Sequence, residues 1–325
     1  MQEVSSMTEF KVLINDEISE RGIKILENAG FSVVVHHYDA DELKHIIKDF
    51  DALIVRSATK VTREIIEEGA KGRLKVIGRA GVGVDNIDVA AATENKILVV
   101  NAPTAATRSV AELTLAVAFA LARDLIEANN ELKEGKWTKK KHKGFVLQGK
   151  TWGLVGYGRI GREVGKLARA LGMNVVAYDP YIKEADVKLL DRLEDLLKIA
   201  DIVSIHVPLT PETKGLIGEN ELRAMKKGAI LINTARGGIV DEEALAKVIN
   251  EGHLKGAGVD VFEEEPPRPD NPLLKSEKVY VTPHIGANTV EAQDIAGEII
   301  AEQVVKALRG ERPEFLVNRE VLNDR

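Results

Sequence analysis

The sequence predicts an α/β protein made of two doubly wound domains with parallel sheets, and three observations carry that prediction. Short β-branched runs alternate with segments of helical periodicity through most of the 325 residues. One such run, Thr151–Val155, leads into Gly156-Tyr157-Gly158-Arg159-Ile160-Gly161 and then into a helical pattern, the order of a dinucleotide-binding strand–turn–helix unit. Polar and glycine-rich segments fall just past strand ends, where open α/β sheets receive ligands.

In chain order, residues 10–15 read as a strand, 17–29 as a helix, 31–37 as a strand, 41–50 as a helix and 52–55 as a strand. A helix near 62–68 and strands at 74–78 and 97–100 follow. KVLI, SVVV, ALIV and ILVV are rich in the β-branched residues that suit a pleated surface. Arg56, Ser57 and Lys60 come after the third strand, Arg79, Gly81 and Val82 after the fourth, and Asn101 after the fifth. Paired cations and bare backbone N–H groups there suit an anionic substrate; a solvated loop with turn glycines is the other reading. Residues 102–107 break the pattern, and Ser109 with Glu112 reads as a helix cap before an apolar run to Leu121. Residues 136–143 form a basic loop around Trp137, either a solvated loop or a phosphate or subunit contact.

The fingerprint that follows organises the second half of the chain. Gly156 permits the turn, Gly158 lets a pyrophosphate approach the backbone, and Gly161 lets helix pack on strand, with the diphosphate at the helix N-terminus. Ile160, Val164, Leu167, Ala168 and Leu171 recur at helical spacing, and the next strand, 173–178, ends at Asp179. That acid lies at roughly the ~20-residue distance at which this fingerprint carries its ribose-binding carboxylate. Asp179 would repel a 2′-phosphate, and Pro180 and Tyr181 supply no compensating cation, so the expected cofactor is NAD.

Further strands are expected at 202–207, 229–233, 257–261 and 279–282, with helices near 193–199 and 242–251 and a long helical pattern at 291–308. Arg236, Glu265 and His284 each stand just past a strand end, so one sheet edge would receive a cation, a carboxylate and an imidazole beside the cofactor. A guanidinium can grip a carboxylate with two parallel hydrogen bonds. Imidazole, with an ordinary pKa of ~6.5, exchanges protons near neutral pH when a carboxylate orients it. Together they suit oxidation of a 2-hydroxy acid. Each residue also has a plain structural reading: an acidic turn for Glu265, a glycine loop for Arg236, one of seven histidines for His284. His206 lies inside an apolar strand and reads as structural; His36, His37, His45, His142 and His253 read as surface or loop positions.

Composition narrows the classes. Hydrophobic residues at 44% and charged residues at 30% describe a soluble globular protein, and a net charge of −6 gives no reason to expect nucleic acid as a partner. The absence of cysteine removes disulfides and thiolate chemistry and fits a reducing cytoplasm. No metal site, secretory signal or membrane span is expected; the apolar run at 113–122 is too short to cross a bilayer.

GYGRIG with Asp179, then NTARGGIVDEEAL, GVDVFEEEPP and TPHIGANT, resemble the D-2-hydroxyacid dehydrogenases over nearly the whole chain. RSATKVT, GRAGVGVDNID, GKW and EEPPR are most similar to the members that act on a phosphorylated 2-hydroxy acid. The resemblance implies Arg236 as carboxylate and carbonyl anchor, His284 as acid/base and Glu265 as its partner. It implies an NAD site with Arg159, Ile160, Asp179, Val207, Thr234 and Asp260, and a substrate site with Arg56, Ser57, Gly81, Val82 and Asn101. It further implies a Rossmann domain, residues 103–288, inserted into a flavodoxin-like substrate domain, residues 7–102 and 289–325, and a homodimer joined through the cofactor domains. Many members continue into a serine-binding regulatory domain; the last residue here is Arg325, so feedback through such a domain is expected to be absent. Two rivals share much of the pattern: reductases of glyoxylate or hydroxypyruvate, and NAD-sensing corepressors of the same fold.

Overall fold

The computed structural model describes residues 10–322. The chain divides into two compact units, one running up to Ala106 and resuming at Ala287, the other Thr107–Gly286. The expected outer limits at 7 and 325 lie outside the described residues. The inner divisions fall at 106/107 and 286/287, against 102/103 and 288/289 from the sequence. Ala102 and Ala105 belong to the core of the first unit, and the helix Thr107–Ala122 opens the second.

In the first unit, β1 (Lys11–Ile14), β2 (Ser32–Val35), β3 (Ala52–Val55), β4 (Val76–Arg79) and β5 (Leu98–Val100) form a parallel sheet in the order β2-β1-β3-β4-β5. This is the flavodoxin-like order. β3 is buried along its whole length, as a central parallel strand covered on both faces must be. Helices start where short polar side chains cap them: Ser19 accepts from the Gly22 N–H, Asp39 forms a capping box with Glu42, and Asp88 accepts from the Ala91 N–H. The long helical pattern expected at 291–308 is the 19-residue helix Val290–Leu308, capped by Thr289, which returns to this unit and packs on the helix Glu20–Asn28. Two glycines allow that crossing: a Cβ on Gly22 would lie 2.5 Å from the Gly297 carbonyl oxygen.

The second unit carries β6 (Thr151–Val155), β7 (Asn174–Tyr178), β8 (Lys188–Leu189), β9 (Ile202–Ile205), β10 (Ile230–Asn233), β11 (Gly256–Val259) and β12 (Val279–Val281). The order is β12-β11-β10-β9-β6-β7-β8, and every pair is parallel. The chain reverses its direction of travel between β6 and β9, which defines the crevice of a Rossmann sheet. Trp152 is fully buried, and its indole N–H donates to Ser204 Oγ at 2.8 Å, which lies 2.7 Å from His206 Nε2. Burial pushes His206 down to about 3, so the imidazole is neutral there.

Several local expectations change. Ser109 lies inside the helix Thr107–Ala122 and donates to the Gly286 carbonyl at 2.6 Å, so it is not the cap. His206 stands one residue beyond β9, not within it. His142 lies in a loop, but its side chain is buried: Nε2 is 2.7 Å from Glu131 Oε2 and Nδ1 is 3.7 Å from Asp124 Oδ2. Glu131 also accepts from Lys141 and Thr138, which ties the basic loop to the helix Leu125–Lys133 and holds the Glu131 carboxyl down at about 2. Helices Val89–Glu94 and Leu125–Lys133 and the two-residue β8 had no clear periodic signal. Among the described residues, no helix is long and apolar enough to cross a membrane and no His/Asp/Glu group is arranged to hold a metal ion.

Candidate active site

The carboxyl ends of the seven-stranded sheet collect the candidate residues of the second unit. Gly156 follows β6 at φ +97, and a Cβ there would meet the His206 carbonyl oxygen at 2.5 Å, so only glycine closes this turn. Around Gly158 the space a Cβ would take is open, which leaves room for a diphosphate against the backbone. The helix Arg159–Ala170 starts there with no side-chain cap, so its first N–H groups can serve an anion. Arg159 is exposed, and Ile160 and Val207 are partly exposed.

At the end of β7 the Asp179 carboxylate is held by two backbone donors, Tyr157 N at 2.9 Å on Oδ2 and Tyr181 N at 3.0 Å on Oδ1. Each oxygen keeps a lone pair for a ribose hydroxyl. These features fit a dinucleotide without a 2′-phosphate.

The loops after β10, β11 and β12 bring the chemistry. Arg236, three residues past β10, is partly buried, and its Nη1 donates to the Ala235 carbonyl at 2.8 Å. Its turn is braced by the buried Asn233, whose Nδ2 donates to the Arg236 carbonyl at 3.0 Å and whose Oδ1 accepts from Ala235 N at 3.1 Å. His284 Nδ1 lies 2.7 Å from Glu265 Oε2, and Glu265 Oε1 accepts from Phe262 N at 3.1 Å. The pair remains accessible, with side-chain exposures of 47% and 37%. His284 adopts φ +51, an uncommon backbone state for a residue with a Cβ, and its N–H lies 2.9 Å from the Asp260 carbonyl.

Asp260 sustains that conformation. It is 1% exposed, and its carboxylate accepts from Thr282 Oγ1 at 2.6 Å, Ile285 N at 2.8 Å and Gly286 N at 2.9 Å. Thr234 is buried with its hydroxyl 2.9 Å from Thr114 Oγ1. Asp260 therefore braces the loop that carries His284, and Thr234 ties the residue after β10 to the helix Thr107–Ala122.

In the first unit the candidate substrate residues share the carboxyl edge of the five-stranded sheet. Arg56, Ser57 and Lys60 lie on the loop after β3, Arg79 ends β4, Gly81 and Val82 follow it, and Asn101 follows β5. Sequence inspection did not single out what holds them. Buried Asp16 accepts from Arg56 N at 2.7 Å, Thr59 N at 3.0 Å and Thr59 Oγ1 at 2.6 Å. Asn86 Nδ2 donates to the carbonyls of Arg56 at 2.6 Å and Thr59 at 2.7 Å, and Asn101 Nδ2 donates to that of Val82 at 2.8 Å. Asp16 follows the β1 end, and that position was the available signal. Arg79 turns its Nη1 to the Ala80 carbonyl at 3.2 Å, over Gly81.

A Rossmann sheet with a glycine turn, an anchored carboxylate after β7 and a hydrogen-bonded histidine–carboxylate pair at the same sheet edge fits a dinucleotide-binding protein. Residues 115–286 match the family model for the D-isomer specific 2-hydroxyacid dehydrogenase, NAD binding domain. The chain belongs to the D-isomer specific 2-hydroxyacid dehydrogenases, and this domain is its NAD-binding domain. It is 53% identical to D-3-phosphoglycerate dehydrogenase of Methanocaldococcus jannaschii over 95% of this chain, and spans 59% of that relative's length. It is 47% identical to hydroxypyruvate reductase of Thermotoga maritima, covering 93% of this chain and 99% of the relative. The crystal structure of NAD+-bound 3-phosphoglycerate dehydrogenase from Entamoeba histolytica superposes with a TM-score of 0.80 at 32% identity, covering 96% of this chain and 99% of that one.

Proposed function

We propose that the protein oxidises 3-phospho-D-glycerate to 3-phosphohydroxypyruvate reversibly with NAD, the first step of the phosphorylated route to serine. The observation that carries the chemistry is the Glu265–His284 pair at 2.7 Å on the sheet edge that also bears Arg236. NAD, when bound, supplies the hydride acceptor. Glu265 orients the imidazole through Nδ1, which leaves Nε2 to take the proton of the C2 hydroxyl as the C2–H bond gives up its electron pair as hydride. Arg236 grips the substrate carboxylate and steadies the carbonyl oxygen that forms. In reduction the same proton returns from His284.

The phosphorylated substrate is favoured by Arg56, Lys60 and Arg79 at one sheet edge, and by the 53% identity to a relative of that name. The hydroxypyruvate reductase relative keeps the unphosphorylated acids as the second reading. NADH formation from 3-phosphoglycerate at alkaline pH, measured beside NADH consumption with hydroxypyruvate and glyoxylate, separates the two. A preference for the unphosphorylated acids would sink the phosphoglycerate assignment. Negligible turnover of every acid, with NADH still bound, would instead support a corepressor-like binding role. Replacing Lys60 with Met is expected to raise KM for the phosphorylated acid about tenfold, as loss of one charge-assisted contact does, and to leave KM for hydroxypyruvate nearly unchanged. An equal rise for both would count against a phosphate role for Lys60.

The same proposal includes a cytoplasmic homodimer joined through the NAD-binding unit. Phe119, Leu125, Leu132, Trp137 and Val146 are large apolar side chains that stand 43%, 59%, 57%, 81% and 72% exposed within one stretch of that unit. Exposed apolar side chains gathered in one segment support that reading. Trp137→Asp is expected to shift the sedimentation coefficient from dimer to monomer, and a wild-type monomer at micromolar concentration would refute the assembly.

A further inference from the structure

The glycine fingerprint requires nothing of the residue between its first two glycines, yet here that residue is Tyr157, with 0% exposure. Its hydroxyl donates to Asp186 Oδ1 at 2.5 Å. Arg169 binds the same residue twice, from Nη2 to Oδ2 at 2.5 Å and from Nη1 to the carbonyl at 3.2 Å. The Arg162 guanidinium lies over the Tyr157 ring, 4.5 Å from its centre, with Nη1 3.9 Å from Asp186 Oδ1. Arg162 and Arg169 are seven residues apart on the helix Arg159–Ala170, so they share the face that meets Asp186.

Asp186 sits on the irregular segment that leaves β7 at Asp179 and rejoins the sheet at β8. Tyr157 therefore holds that segment at both ends: its backbone N–H binds the Asp179 carboxylate at 2.9 Å, and its phenol binds Asp186. Between these ties Pro180 and Tyr181 remain exposed, beside Asp179, the acid expected to receive the ribose. Burial first, then the bond to Asp186, pushes the phenol up to about 12, while that bond and then Arg169 hold Asp186 down at about 2. A neutral donor thus faces a charged acceptor across the working pH range.

We propose that Tyr157, Asp186 and Arg169 are positioning residues that clamp the adenosine-side rim of the NAD site onto the diphosphate-binding helix. A segment without regular hydrogen bonding loses conformational freedom when a ligand orders it, and fixing it beforehand removes that cost from binding. None of the three is assigned a role in proton or hydride transfer, so the clamp acts on affinity for the dinucleotide.

The test is binding of NADH and of ADP-ribose, measured by calorimetry on the full chain with Tyr157→Phe, Asp186→Asn, Asp186→Glu and the double variant Tyr157→Phe/Asp186→Asn. Tyr157→Phe keeps the buried ring, and Asp186 is exposed, so both singles retain the fold's packing. Tyr157→Phe and Asp186→Asn are each expected to raise Kd for both ligands about fivefold, the double to do no worse than the more damaging of them, and Asp186→Glu to fall between Asp186→Asn and wild type. Kd values within twofold of wild type would overturn the clamp, whatever the change in melting temperature. Because the readout is binding, it stands even if the protein fails to oxidise 3-phosphoglycerate. Where turnover is measurable, KM for NAD should rise with kcat at saturation unchanged, and a fall in saturated kcat with unchanged KM would overturn the assignment as well.

Discussion

His284→Ala is expected to lower kcat by about 10²- to 10⁴-fold, the usual contribution of a positioned general acid/base, with NADH affinity within about twofold of wild type. The imidazole is held through Nδ1 by Glu265 at 2.7 Å, and its backbone is fixed at φ +51 by the loop that Asp260 anchors. Alanine can occupy the same loop, while nothing else within it offers a proton acceptor of matching basicity. Steady-state turnover in both directions, with NADH fluorescence titration as the control for folding, measures the effect. Activity within tenfold of wild type would remove His284 from the proposed mechanism. Glu265→Gln should give a smaller loss, since the amide can still bond to Nδ1 but no longer stabilises the charged imidazolium.

Arg236→Gln is expected to reduce kcat/KM by roughly 10²- to 10³-fold, divided between a higher KM and a lower kcat, because the two charge-assisted hydrogen bonds proposed to the substrate carboxylate would be lost together. Arg236→Lys should recover only a small part. An ammonium is a point charge and cannot reproduce the planar fork. The position of Arg236 depends on Asn233, which bonds to both sides of its turn at 3.0 and 3.1 Å. Initial-rate kinetics over a matrix of acid and NAD concentrations checks the split: a rise in KM for the acid alone, with kcat untouched, would make Arg236 a binding residue with no part in stabilising the transition state.

The fold class and the NAD-binding domain were legible in the sequence because both rest on short-range rules. Strand, glycine turn and helix are contiguous from Thr151 to Ala170, and Asp179 is placed by the next strand. The proximity of Arg236, Glu265 and His284 to strand ends was legible for a related reason. In a parallel sheet the carboxyl ends lie on one edge, so residues just past those ends converge there.

What the tertiary structure decided is which polar side chains hold those loops and which face inward. Asp16 reaches Arg56 and Thr59 across 40 and 43 residues, Tyr157 reaches Asp186 across 29, and Ser109 spans 177 residues to the Gly286 carbonyl. His142, unremarkable in a run of lysines, is drawn between Glu131 and Asp124. Periodicity determined the elements and their order, because each is a local preference of the backbone and its nearest side chains. The pairings were set only when packing removed water from particular carboxylates and amides and left each one the partner that the folded chain brought within reach.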